Sequence, residues 1–155
     1  MTFINYFFAS VISFLGLVAG IILINIAPEE QKQLKKYFEA IRKILLLLIF
    51  IFITIYFYNN IFSILILIAY IVFLFFVEYK MNDMLKKSII SYGMLGIIFF
   101  LSFKIQNLFL IESSLIFLYG IPVASLLYSK KEKNSHKILF YNIGFILLAN
   151  LIYLT

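Results

Sequence analysis

The chain has 155 residues, 65% of them hydrophobic and 13% charged, with a formal net charge of +6. A soluble domain carries about 25% charged and 45–50% apolar residues, and a water-soluble fold this small would leave roughly a third of its chain surface wet, so the composition excludes an ordinary soluble domain. The 13 basic residues lie in short clusters between apolar runs, which argues against nucleic-acid binding, and the absence of cysteine removes any disulfide, thiolate metal site or cysteine nucleophile.

The first apolar segment covers 3–26. It lacks a positive n-region and exceeds the ~7–15 residues of a signal-peptide core, so it is expected to be a retained first span. Ala9, Ser13, Gly16 and Gly20 form a small-residue stripe along it. The polar stretch APEEQKQLKKYFEAIRK, 27–43, follows. Pro28 suits a first helical position, and Glu29 and Glu30 complement a helix N-terminus. Leu34, Tyr37, Phe38, Ile41, Ile44 and Leu45 recur at three- and four-residue steps, an amphipathic face, while Lys35–Glu39 and Glu39–Lys43 are i,i+4 pairs on its wet side. The expectation is a cytoplasmic amphipathic extension, 28–43, of a second span at 44–58. It would lie at the interface with its apolar side down, Arg42 and Lys43 snorkelling to the surface. Docking of an anionic lipid or a soluble partner is the functional alternative for this helix.

Asn59-Asn60 is a turn signal, with Asn60 or Ser63 able to cap the next helix. A single helix over 44–77 would extend ~51 Å against a ~30 Å hydrocarbon core, so a third span is expected at 61–77. The fourth, 88–103, carries Ser88, Ser91, Gly93 and Gly96. Around IQNLFLIESS, Lys104 and Glu112 are eight residues apart and can form a shallow polar mouth with Gln106, Asn107, Ser113 and Ser114; interfacial anchoring is the competing reading. The fifth span, 108–128, holds Gly120, Ala124 and Ser125, and Pro122 inside it predicts a bend. The loop SKKEKNSHK contains the only histidine, His136, expected to be solvated. The sixth span, 138–154, contains Gly144. Asn5, Asn25, Asn142 and Asn150 fall nearer span ends than centres, where backbone or headgroups would satisfy them.

Twelve of the 13 basic residues fall on the connections 27–43, 78–87 and 129–137, and Lys104 alone falls on the other side. By the positive-inside rule those three connections are cytoplasmic. The expected fold is therefore all-α: one polytopic transmembrane domain, 1–155, with six transmembrane helices as three hairpins in the cell membrane and both termini extracytoplasmic. Helices in lipid meet through small residues, which nominates Ser13, Gly16, Gly20, Gly93, Gly96, Gly120 and Gly144 for helix packing. Spans two and three have no glycine, so the expected core is spans one, four, five and six, with two and three outside it.

No P-loop, GxGxxG turn, HExxH helix or GxSxG elbow occurs. Glu78 and Asp83 flank the second inner loop without a paired-carboxylate pattern. No catalytic residue, cofactor or metal site is expected. Apart from the bilayer, anionic lipids or a protein partner are the expected contacts, and nucleic acid is not. The leading functional expectation is a non-enzymatic scaffold or accessory subunit of a membrane complex. The alternative is a transporter or substrate-binding component for a small neutral or apolar molecule, motivated by Pro122 beside the glycine-bearing helices. An intramembrane enzyme acting on lipid-linked substrates comes third, since only the Lys104/Glu112 region or the inner loops offer it polar residues.

Overall fold

Long apolar runs with few breakers give long helices; Pro28 falls between two of them, whereas Pro122 and five of the six glycines lie inside helices. The computed structural model describes residues 2–58, 61–129 and 134–154, and the side chains of all these except 61–63, 66 and 67. The described residues form α1 (Phe3–Ile26), α2 (Glu30–Phe57), α3 (Ile61–Lys80), α4 (Met84–Ser102), α5 (Gln106–Leu127), α6 (Ser135–Asn142) and α7 (Gly144–Leu154), with no strand among them. The turn expected at Asn59-Asn60, the cap at Ser63, and Lys130, Lys131 and Lys133 lie outside the described residues and side chains. Thr2 caps α1 by accepting from the Asn5 amide, and Asp83 caps α4 by accepting from the Leu85 amide. Ala27, just ahead of Pro28, ends α1, as the residue before a proline is pushed out of the helical region.

The polar stretch and the second apolar run form one unbroken helix, α2, of 28 residues, the continuous extension expected from the sequence. One element differs from the sequence expectation. The sixth segment is two helices, broken at Ile143 where the chain meets Gly144, a residue that disfavours helix interiors. Pro122 lies buried within a continuous α5. Among the described residues, five helical units are long and apolar enough to cross a membrane: α1, α2, α4, α5 and the combined Ser135–Leu154.

The most extensive contact is α1 against α5, which run in the same direction. Gly16 and Gly20 lie against Phe117, Ile121 and Ala124 of α5, and Gly120 lies against the backbone of Gly16 and Leu17. The Ser13 hydroxyl donates to the Ser113 carbonyl at 3.1 Å on the same seam. A second glycine contact joins α4 to α7, where Gly96 faces the Phe145 carbonyl. Asn142 and Asn150 donate to backbone carbonyls, of Ile138 and Ile146 at 2.8 Å each, and also tie helices together. Ser88 donates to Asn142 Oδ1 at 2.6 Å, and the Asn150 amide donates to Ser10 Oγ at 3.0 Å. Tyr6 adds a bond to the Ala149 carbonyl at 2.9 Å, and its ring packs among Phe99, Phe103, Phe109 and Tyr153.

The packing departs from the expected core at α2. This helix packs on α5 second only to the α1–α5 seam, whereas α3 touches the bundle more lightly, through α2 and α4. The reason lies in which side of α2 faces in. Leu34, Phe38, Leu45, Leu46, Ile49 and Ile53 are buried or half-buried, and Tyr37, Ile41 and Ile44 of the expected apolar face point outward. Both sides of α2 are apolar beyond residue 43, so hydrophobicity alone does not select between them.

Candidate functional site

The rotation of α2 carries Arg42 into the bundle. The start of α2 is fixed beside the end of α5, because the Gln31 side-chain amide donates to the carbonyls of Ser125 and Tyr128 at 2.7 Å each. Arg42 lies three turns further on and is 2% exposed. It is in electrostatic contact with Tyr119, which is eight residues, about 12 Å of helix rise, before the end of α5. The guanidinium is therefore held inside the bundle instead of snorkelling to its end.

Its partner is Glu78, near the end of α3. Arg42 Nη2 donates to Glu78 Oε2 at 2.7 Å, and Nη1 lies 2.6 Å from Oε1. The pair thus combines one charge-assisted hydrogen bond with a close ionic contact. Lys87, in the first turn of α4, donates to the Glu78 carbonyl at 2.8 Å, and its ammonium lies 3.6 Å from the carboxylate. One carboxylate thus joins three helices. Tyr119 on α5 brings in a fourth, lying in electrostatic range of Arg42, Ser91 and Glu78.

These groups border a bay of about 220 Å³ between α2, α3, α4 and α5, at the end of the bundle where α2 and α4 begin. Lys35, Glu39, Arg42, Lys43, Glu78 and Lys87 supply its charge, four cations against two carboxylates. Glu78 is engaged by both Arg42 and Lys87, and Arg42 Nε and Nη1 have no well-formed hydrogen bond among the described residues. Lys35 and Lys43 are exposed, and among the described residues neither comes within ion-pair distance of a carboxylate. The bay therefore presents uncompensated positive charge beside a rigid ion pair, a combination suited to holding an anion.

A second polar group lies deeper. Glu112, in the first half of α5, is fully buried, and among the described residues neither carboxylate oxygen has a hydrogen-bond partner. Tyr70 of α3 lies in electrostatic range of both Glu112 and Tyr119, and Tyr92 packs its ring on Tyr119 with centroids 5.6 Å apart. The hydroxyls of Tyr70, Tyr92, Tyr119 and Ser91 are buried without a well-formed hydrogen bond. Polar groups thus step inward from the bay toward Glu112.

The other residues singled out in the sequence fall as follows. Lys104 is exposed in the α4–α5 turn while Glu112 is buried, and no ion pair joins them. Gln106, Asn107 and Ser114 are exposed. Among the packing glycines, Gly16, Gly20, Gly96 and Gly120 stand at close backbone approaches, Gly93 has only Leu148 at 3.6 Å from a notional Cβ, and Gly144 meets open space. His136 borders a separate groove with Phe14 and Phe140.

Sequence reasoning missed the Arg42–Glu78 pair, although a signal was present. Arg42 and Glu78 are equidistant in sequence from position 60, as are Phe50 and Tyr70, the spacing that sets residues side by side on two antiparallel helices. Phe50 and Tyr70 do stack, with ring centroids 6.4 Å apart. No protein-family model, curated protein or solved structure matches the chain.

Proposed function

We propose that the chain is an integral protein of the cell membrane with six spans in three hairpins. Its connections 27–43, 78–87 and 129–137 lie in the cytoplasm and its termini outside. There it serves as a non-enzymatic binding component that holds an anionic group in the bay. The observation that carries this reading is the inverted amphipathicity of α2: Arg42 is buried while Tyr37, Ile41, Ile44, Leu47, Ile51 and Ile55 are exposed. In water that arrangement is unfavourable on both counts, since it wets apolar side chains and desolvates a charge. In lipid the outward side chains meet a solvent of their own kind, and an intramembrane charge is tolerated where it is paired inside the protein. The positive connections set the orientation, so the bay opens to the cytoplasm.

The charges around the bay favour an anionic ligand over the neutral or apolar one that the sequence suggested. A scaffold or accessory role has separate support from α3, which exposes Leu65, Ile68, Val72, Phe75 and Phe76 and packs lightly on its neighbours, leaving a long side for a partner helix or lipid. The binding role is tested on the full chain in mild detergent at constant ionic strength. Glycerol 3-phosphate should raise the melting temperature where glycerol does not, because a ligand of the folded state stabilises it by mass action. The double substitution Lys35→Gln/Lys43→Gln should abolish the difference. Identical melting with and without the anion contradicts the role.

A further inference from the structure

The bay continues into a second cavity. A groove of about 320 Å³ runs along the outside of the α2–α3 pair, lined by Leu46, Leu47, Phe50, Ile71, Leu74 and Phe75. Lys43 and Glu78 line both the groove and the bay, so the two are contiguous at those residues. The groove is apolar along its length and charged only at the end it shares with the bay. From Lys43 to Phe50 the helix rises about 10 Å away from the cytoplasmic end, so the groove leads from a cationic mouth toward the bilayer centre.

We infer that the bay and the groove are one site for an anionic glycerophospholipid of the cytoplasmic leaflet, with its phosphate at Lys35 and Lys43 and an acyl chain along the α2–α3 groove. This rests on the binding role proposed for the bay and names its ligand. Charge complementarity selects the headgroup: Glu78 is engaged by Arg42 and Lys87, whereas Lys35 and Lys43 form no ion pair among the described residues; Glu39, four residues from each, also lines the bay, and a phosphate there meets an excess of cations over carboxylates. A soluble anion would fill the bay and leave the groove to bulk lipid. A zwitterionic lipid would fill the groove and leave the lysines uncompensated. Only an anionic amphiphile satisfies both, in the orientation that the cytoplasmic leaflet imposes. The Arg42–Glu78 pair then serves as a fixed wall, holding α2 and α3 at the spacing that keeps the groove open.

The test is native mass spectrometry of the full chain in mild detergent with equimolar phosphatidylglycerol and phosphatidylcholine, alongside melting with glycerol 3-phosphate. Phosphatidylglycerol should be retained severalfold over phosphatidylcholine. Lys35→Gln and Lys43→Gln should each reduce that preference about fivefold, the value of one lysine near an anionic surface. Leu47→Trp and Ile71→Trp replace exposed groove side chains and should reduce retention of the lipid while leaving the response to glycerol 3-phosphate intact. Equal retention of the two lipids, or full retention in the tryptophan variants, overturns the lipid assignment. If glycerol 3-phosphate still stabilises the chain in that case, the binding role stands and the anion is a soluble one; if it does not, both fail.

Discussion

The α1–α5 seam and the α2–α3 junction are buried in the same bundle, yet they are closed by opposite means. At the seam, glycines bring the two backbones together: a Cβ on Gly16 would overlap the Phe117 carbonyl, and one on Gly20 would lie 2.5 Å from the Ile121 carbonyl. Backbone meets backbone, and the gain is van der Waals contact over a long, close approach. At the junction no glycine is present. Long side chains hold α2 and α3 together, and an arginine–glutamate pair locks their ends near the bay. The comparison teaches that helices facing lipid, where burying leucine against leucine gains little, can be joined either by removing side chains or by a polar pair that has no better partner in its surroundings. The first makes a tight and inert seam. The second leaves space between the helices, and that space is where the bay and the groove occur.

The largest expected effect breaks the seam. Gly16→Leu or Gly120→Leu places atoms where the facing helix has backbone, which cannot rotate away, so folded protein should be lost. Size-exclusion chromatography in detergent would register this as aggregation or absence of the monodisperse peak. Arg42→Met attacks the junction instead. It strands Glu78 in the bundle and should cost about 3–5 kcal/mol, the usual result of removing one partner of a buried pair. The double substitution Arg42→Met/Glu78→Leu should recover most of that loss. Denaturant or thermal titration of the three variants reads the coupling, and a double variant no better than Arg42→Met would mean that the pair does not act as a lock.

Smaller effects sharpen the comparison. Asn150→Ala removes the bond to Ser10 and should cost about 0.6 kcal/mol and at most about 1.7, the range found for hydrogen bonds between membrane helices. Gly144→Ala should be neutral or slightly stabilising in the same titration, because a Cβ there meets nothing within 4 Å and alanine is the better helix former by about 0.5–1 kcal/mol. A large loss at Gly144 would show that glycine matters here through something other than close approach.

The helical class was legible in the apolar runs, and their boundaries matched the observed helices to within a few residues for most elements. Of the glycines that the small-residue pattern nominated, Gly16, Gly20, Gly96 and Gly120 stand at close backbone approaches, whereas Gly93 and Gly144 do not. The site was not legible. Helix α2 offers apolar residues on two sides, so periodicity could not say whether Ile41 or Arg42 points inward. The answer depends on a tertiary partner, Glu78, 36 residues away, and only the equal spacing in sequence from position 60 hinted at it. Glu112 is the converse case. It lies early enough in α5 to suggest a helix-end carboxylate beside Lys104, but the helix begins at Gln106, and in its second turn Glu112 faces the bundle while Leu110 faces out. Sequence position gave depth along the helix and not the direction of the side chain around it.

The account depends most on which side of the membrane holds the bay. The chain contains no cysteine, so single cysteines introduced at Lys35, Asn82 and Lys104, all exposed, can be probed on a clean background with a membrane-impermeant maleimide. In intact cells position 104 should label, while positions 35 and 82 should label only after permeabilisation. Labelling of position 35 or 82 from outside intact cells, or equal labelling of all three, would contradict the account.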